Sequence, residues 1–200
     1  DLNDDQKESI ASWVREGGRL VTLGAACNLG IESWGLSRFS DDEDKAQRRD
    51  ERNAHSEEDR YAPYAMSARN GIRSDIPGAV YEVHLDATHP LAYGYDDSYW
   101  SIKTSSRRYA HLEDGHNVGI LSGEASPISG FAGARANSQL RESLSFGVQD
   151  MGRGHVIYLA DNVLFRAFWK DGHKFFSNAV FFGAATVSYT HLTLPTKCSV

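Results

Sequence analysis

The stretch Trp13-Val14-Arg15-Glu16-Gly17-Gly18-Arg19-Leu20-Val21-Thr22-Leu23-Gly24-Ala25-Ala26-Cys27-Asn28 decides the fold class. It reads as the end of a helix, a double-glycine stop, a short apolar strand and a small-residue turn. Upstream, Asn3 stands three residues before Gln6, the spacing of a capping box, and Ile10, Trp13 and Val14, with Ala11 beside them, form an apolar stripe. Gly17-Gly18 ends the helix because glycine adopts a left-handed cap at little cost. Arg19 to Leu23 then reads as a strand, and Asn28 to Trp34 as a second helix. Helix, strand and helix in succession mark an α/β protein.

Outward from this unit, Ala79 to Leu85 follows the turn signal Pro77-Gly78 and reads as a strand. Ser98 to Thr104 and Asn117 to Leu121 are further strands. Leu144 to Gln149 and His155 to Ala160 flank Asp150-Met151-Gly152-Arg153-Gly154, a hairpin. Val156, Ile157, Tyr158 and Leu159 are apolar on both faces, which predicts a central strand. Phe175 to Phe182 reads as a final buried helix. Together these predict a mixed sheet flanked by helices.

The composition is that of a globular domain, 40% hydrophobic and 24% charged. A formal net charge of −6 argues against a nucleic-acid backbone as partner. No apolar run reaches the ~20 residues that span a bilayer. Two cysteines, Cys27 and Cys198, make no disulfide framework. Ser37 to Arg60 differs from its surroundings: nine acidic and six basic residues leave no apolar period, the pattern of a solvated insert.

The expected domain is 1–186, with that insert at 37–60. Val187-Ser188-Tyr189-Thr190-His191-Leu192-Thr193-Leu194-Pro195-Thr196 resembles a reading-frame translation of a transposase adapter from sequencing libraries, so 187–200 is expected to be foreign to the fold. The opening Asp1-Leu2-Asn3, without Met, reads as the cap of a helix already embedded in a fold. The expectation is a C-terminal piece of a larger protein, truncated at its N-terminus.

Two motifs touch on catalysis. His55-Ser56-Glu57-Glu58 has the His-x-x-Glu spacing of carboxypeptidase zinc ligands. It falls inside the charged insert, with no strand to hold it rigid and no third ligand in spacing. No metal site and no cofactor are therefore expected in this chain. Glutamine amidotransferases of class I place a cysteine on a strand-to-helix turn, in a Gly-x-Cys-x-Gly setting. Strand 19–23 followed by Gly24-Ala25-Ala26-Cys27 has that context, but Ala26 holds the nucleophile position and Cys27 comes one residue late. The nearest likeness to the His-x-Glu partner is His84-Leu85-Asp86, in mid-chain. Cys27 then reads as a small packing residue, with a nucleophile as the alternative. No catalytic residue is assigned.

In open α/β sheets, ligands collect outside the carboxyl ends of the strands. Two such ends are legible: Leu23 runs into Gly24, Cys27 and Asn28, and Ala160 runs into Asp161 and Asn162, with Arg166 a turn later. These six residues are the candidate ligand crevice. An Asp161–Arg166 pair bracing the loop is the structural alternative.

Several segments, in order, resemble one family. They are 13–20 (WVREGGRL), 76–83 (IPGAVYEV), 88–94 (THPLAYG), 129–133 (SGFAG), 151–156 (MGRGHV) and 161–169 (DNVLFRAFW). They are similar to the C-terminal amidotransferase-like region of secreted bacterial zinc carboxypeptidases, over essentially residues 2–183. That likeness implies a flavodoxin-like or amidotransferase-like form for the mixed sheet. The resemblance implies a non-catalytic accessory domain whose parent hydrolyses C-terminal peptide bonds with one zinc, held by residues upstream of this chain. It further implies an extracytoplasmic location, and partnership with the parent's catalytic domain or with peptide substrate. The alternative function is a small amidase or amidotransferase-like hydrolase using Cys27. Deleting the residues after Ala185 is expected to leave the melting temperature unchanged. A fall of several degrees, roughly what ~1 kcal/mol produces in a domain of this size, would show that the tail packs.

Overall fold

A computed structural model describes residues 2–37, 71–124, 126–140 and 142–183. Nearly all of the charged stretch 37–60, including His55, and the tail 187–200 lie outside the described residues. Helix α1 (Asp4–Arg15) begins on the expected capping box: Asn3 Oδ1 accepts from Gln6 N at 2.8 Å, and Asn3 N donates to Gln6 Oε1 at 3.0 Å. Ala11 and Val14 face the core. Trp13, expected in the same stripe, is 51% exposed and lies over Gly18 instead. Strand β1 (Arg19–Leu23), the one-turn 3-10 segment Gly24–Cys27 and helix α2 (Asn28–Ser33) follow.

Beyond come β2 (Gly78–Leu85), β3 (Ser98–Lys103), β4 (His116–Leu121) and β5 (Ser129–Phe131). Helix α3 (Ala134–Gln139), β6 (Leu144–Met151), β7 (Gly154–Leu159) and helix α4 (Lys170–Phe181) complete the order. The strands form one seven-stranded sheet in the order β1-β7-β6-β4-β2-β3, with β5 paired to β2. The predicted mixed sheet flanked by helices is what the chain builds. Its parallel part is β1 against β7, with Leu23 opposite Leu159. The other pairings are antiparallel.

Strand β7 is buried on both faces, as its doubly apolar sequence predicts, but it stands beside the edge strand β1 and not at the centre of the sheet. Val156 and Tyr158 face one core, with Ala11, Val14, Cys27, Trp34 and Leu36. Ile157 and Leu159 face the other, with Phe146, Leu91, Phe175 and Ala179. Gly154 is required where α1 crosses the sheet, because a Cβ there would lie 2.0 Å from Val14 O and 2.3 Å from Gly18 O.

The second core is organised by aromatic rings. Phe175 of α4 stacks on Phe146 at 4.2 Å and on Tyr95 at 4.4 Å, and Tyr99 meets Phe175 and Phe146 edge-on at 5.0 and 5.5 Å. Such offset and edge-on contacts add about 0.5–1.5 kcal/mol each beyond the burial of area. Asn178 of α4 donates to Leu91 O and Tyr93 O, tying the helix to the 3-10 turn Pro90–Ala92. Helix α4 starts five residues earlier than its sequence suggests, at Lys170, and only one face is buried: Phe181 is 71% exposed.

The sheet is strongly curled. Three strands separate β7 from β3 in the strand order. At ~4.8 Å per strand a flat sheet would hold them roughly 19 Å apart. Lys103 of β3 nonetheless reaches Asp161, just beyond β7, at 2.9 Å. The sheet wraps around the aromatic cluster and α4. Phe175→Ala is therefore expected to cost about 3–5 kcal/mol, and Phe181→Ala no more than about 0.5 kcal/mol. Denaturant midpoints of the two variants check this; equal effects would contradict the one-sided burial of α4.

Candidate functional site

Because β1 and β7 run parallel in register, the turns that follow them open on one edge of the sheet. Gly24 makes the first turn possible with φ +55°, a left-handed value that disfavours any side chain. Ala25 and Ala26 are exposed and Cys27 is buried. Ala26 thus presents only a methyl group to solvent, while Cys27 one step later turns into the core.

Cys27 is fully buried. Its Sγ lies 3.3 Å from Thr22 Oγ1 and 3.8 Å from Thr22 O, and Thr22 Oγ1 donates onward to Ile157 O at 3.1 Å. Burial pushes the thiol up to about 11, opposed by its hydrogen bond with Thr22; Asp161 pushes it up further, and Arg107 pulls it down. Thiolate chemistry needs the opposite, an electropositive and partly exposed setting. Asn28, at the start of α2, accepts from Tyr109 OH at 3.1 Å, and the same hydroxyl reaches Gly24 O at 3.3 Å. Tyr109 thereby braces the turn from beneath.

Asp161 is the other principal residue. Its carboxylate accepts from Lys103 Nζ at 2.9 Å and from Ser101 Oγ at 2.7 Å. The Lys103 and Asp161 side chains are only 1% and 9% exposed. The brace expected between Asp161 and Arg166 is not the one formed; Lys103 supplies the cation. Asn162 Oδ1 accepts from Leu164 N at 3.1 Å and shapes the loop. Arg166 adopts φ +49° and carries its guanidinium 5.2 Å from the centre of the Phe165 ring. Ala167 is also left-handed, at φ +57°. Trp169 closes the loop, its Nε1 donating to Tyr99 OH and to Trp100 O, both at 3.1 Å.

Gly24, Cys27, Asn28 and Asp161 are thus gathered at one strand edge, with Cys27 and Asp161 turned inward. Asn162 and Arg166 sit in the loop beyond. Three residues not singled out from sequence join them: Ser101 and Lys103 from β3, and Arg107, whose exposed guanidinium lies 4.0 Å from where a Gly24 side chain would begin. An aromatic platform of Tyr99, Trp100 and Tyr109 does not form, since Tyr99 and Tyr109 are core residues and Trp100 is 49% exposed. His84 is an exposed residue of β2, two strands removed from β7. His155 pairs with Asp150 at 2.7 Å at the opposite end of β7 from Cys27. Among the described residues, no histidine stands beside Cys27, and no group of three His, Cys, Asp or Glu is placed to hold a metal ion. No described helix is long and apolar enough to cross a membrane.

The fold and this edge define a mixed α/β domain with two strand-end turns on one edge and a sealed cysteine. No family model and no curated protein matches the chain. Among solved structures it is similar to a protein described as ThuA-like from Bacteroides uniformis ATCC 8492, at 12% identity and a TM-score of 0.48. That match covers 89% of this chain, which spans 63% of the other's length. The zinc carboxypeptidase resemblance has no counterpart in these comparisons.

Asp161→Asn leaves a buried ammonium without its counter-charge, and its expected cost is about 3–5 kcal/mol. Adding Lys103→Met to that variant should recover most of the loss. A double variant no more stable than Asp161→Asn alone would show that the two groups are not energetically coupled.

Proposed function

We propose that the chain is a non-catalytic accessory domain of a zinc metallocarboxypeptidase. In this reading the parent hydrolyses C-terminal peptide bonds outside the cytoplasm, its zinc is held by an upstream catalytic domain, and this domain packs against that partner or helps hold the peptide. The observation that carries the non-catalytic part is the one-residue offset after Gly24. Ala26 is exposed where a nucleophile would stand, and Cys27 is sealed against Thr22 with its thiol pushed up to about 11. The carboxypeptidase part rests on the ordered resemblance of segments between residues 13 and 169.

Recognition is assigned to the crevice of Gly24, Cys27, Asn28, Asp161, Asn162 and Arg166. Cys27 and Asp161 shape its floor, and Gly24, Asn28 and Asn162 form its rim together with Arg107. An exposed guanidinium beside a side-chain-free turn suits an anionic group, and a peptide C-terminal carboxylate is the matching chemistry.

The alternative, a small amidase using Cys27, requires the thiol to become exposed and to acquire a base. The test is activity and metal binding in the full chain. The expected result is no glutaminase or carboxypeptidase turnover, no change on Cys27→Ser, and no stoichiometric zinc in equilibrium dialysis. Glutaminase activity abolished by Cys27→Ser would establish the amidase reading, and micromolar zinc affinity abolished by His55→Ala would move a metal site into this chain.

A further inference from the structure

At the edge of the sheet opposite the crevice, one histidine performs a structural task that only its neutral ring can perform. His89 precedes the 3-10 turn Pro90–Ala92, and its Nδ1 accepts the Leu91 N–H at 3.0 Å. An imidazole nitrogen accepts only while it carries no proton, because both nitrogens of the charged ring are donors. The capped turn is a structural anchor. Leu91 and Ala92 are fully buried in the core beside α4, and Asn178 of α4 donates to Leu91 O at 3.0 Å and Tyr93 O at 2.8 Å.

The surroundings of His89 contain three other titratable groups. The His116 ring, from the start of β4, lies with its centre 5.3 Å away and tilted by 48°. Asp86, beyond β2, is engaged by Thr88 N and Thr88 Oγ1. Asp150 of β6 is bonded by His155 of β7. Both carboxylates therefore already have partners, and they only partly offset the cost of charging His89.

We propose that His89 and His116 form an acid-sensitive latch: protonating His89 removes the acceptor from the Leu91 amide, uncaps the 3-10 turn, and loosens the anchor that holds α4. Burial, and then the charge of His116, hold His89 below its ordinary 6.5, against the weaker pull of Asp86 and Asp150. The fold thus keeps His89 neutral. Its contribution to stability is complete above about 6.5 and is lost as the pH falls from there towards the lower folded value. Loosening α4 would free the Tyr93–Phe182 contact at the surface end of that helix. This inference does not depend on the reading of the crevice.

The test is amide exchange at Leu91 in the full chain, corrected for intrinsic rate. Between about pH 7 and about pH 5, its protection should fall as the ring takes up a proton. In His89→Asn the fall should vanish, because Asn Oδ1 accepts from the same position and does not titrate. Unchanged protection in the wild type, or an equal fall in His89→Asn, would overturn the latch. Should His89→Asn fail to fold, His116→Gln decides. Removing the repelling neighbour should move the midpoint of protection loss to higher pH, and a midpoint that stays or moves lower would overturn the proposal.

Discussion

The buried pair of Lys103 and Asp161 is the constraint on which the rest of this structure depends. A charge taken out of water costs several kcal/mol, and it is recovered only if a partner and further hydrogen bonds meet it. Lys103 lies on the last strand of the sheet and Asp161 follows β7, with three strands between, so satisfying both forces the sheet to curl. Ser101 adds the second hydrogen bond to the carboxylate, and Trp169 fixes the same strand from outside through Tyr99 OH and Trp100 O. The curl encloses Phe146, Phe175 and Tyr99, whose stacking in turn seats α4. A purely apolar contact at this point would bury as well but would tolerate sliding; a bonded ion pair fixes one register of β3 against the loop.

The same interaction shapes the edge on which the turns after β1 and β7 open. A carboxylate at the end of a strand is well placed for chemistry, yet here it is fully engaged in holding β3. Its negative charge also raises the neighbouring Cys27 thiol. In the turn after β1, Gly24 provides the left-handed start, but the exposed apex is alanine and the sulfur is part of the core. One residue of offset separates a position that could attack a substrate from one that packs under a strand.

What the sequence made legible was local. The Asn3–Gln6 cap, the hairpin at Gly152-Arg153 and the doubly apolar run Val156–Leu159 all act within a few residues, and all stand where their patterns place them. That the Gly24 and Asp161 turns open on one edge depended on β1 and β7 running the same way, a direction supplied only by the structure. The curl was hidden because its cause joins residues 58 positions apart. Ser98–Lys103 was legible as a strand, but not the face it buries: Tyr99, Ser101 and Lys103 turn inward, which the lysine tolerates because Asp161 meets it. Arg107 lies in an irregular segment with no period to mark it. His89 carried a usable signal, a cap-capable side chain directly before Pro90 at the start of a turn.

The account stands or falls on whether Cys27 is sealed. The direct measurement is its alkylation rate in a chain carrying Cys198→Ala, folded and in denaturant, across neutral to alkaline pH. A thiol raised from 9.0 to about 11 holds roughly a hundredfold less thiolate below both values. The folded protein should therefore react at least about a hundredfold more slowly than the unfolded chain. Equal rates at neutral pH, or an alkylation profile that titrates below the ordinary thiol value, would show an exposed and activated cysteine and contradict the non-catalytic reading.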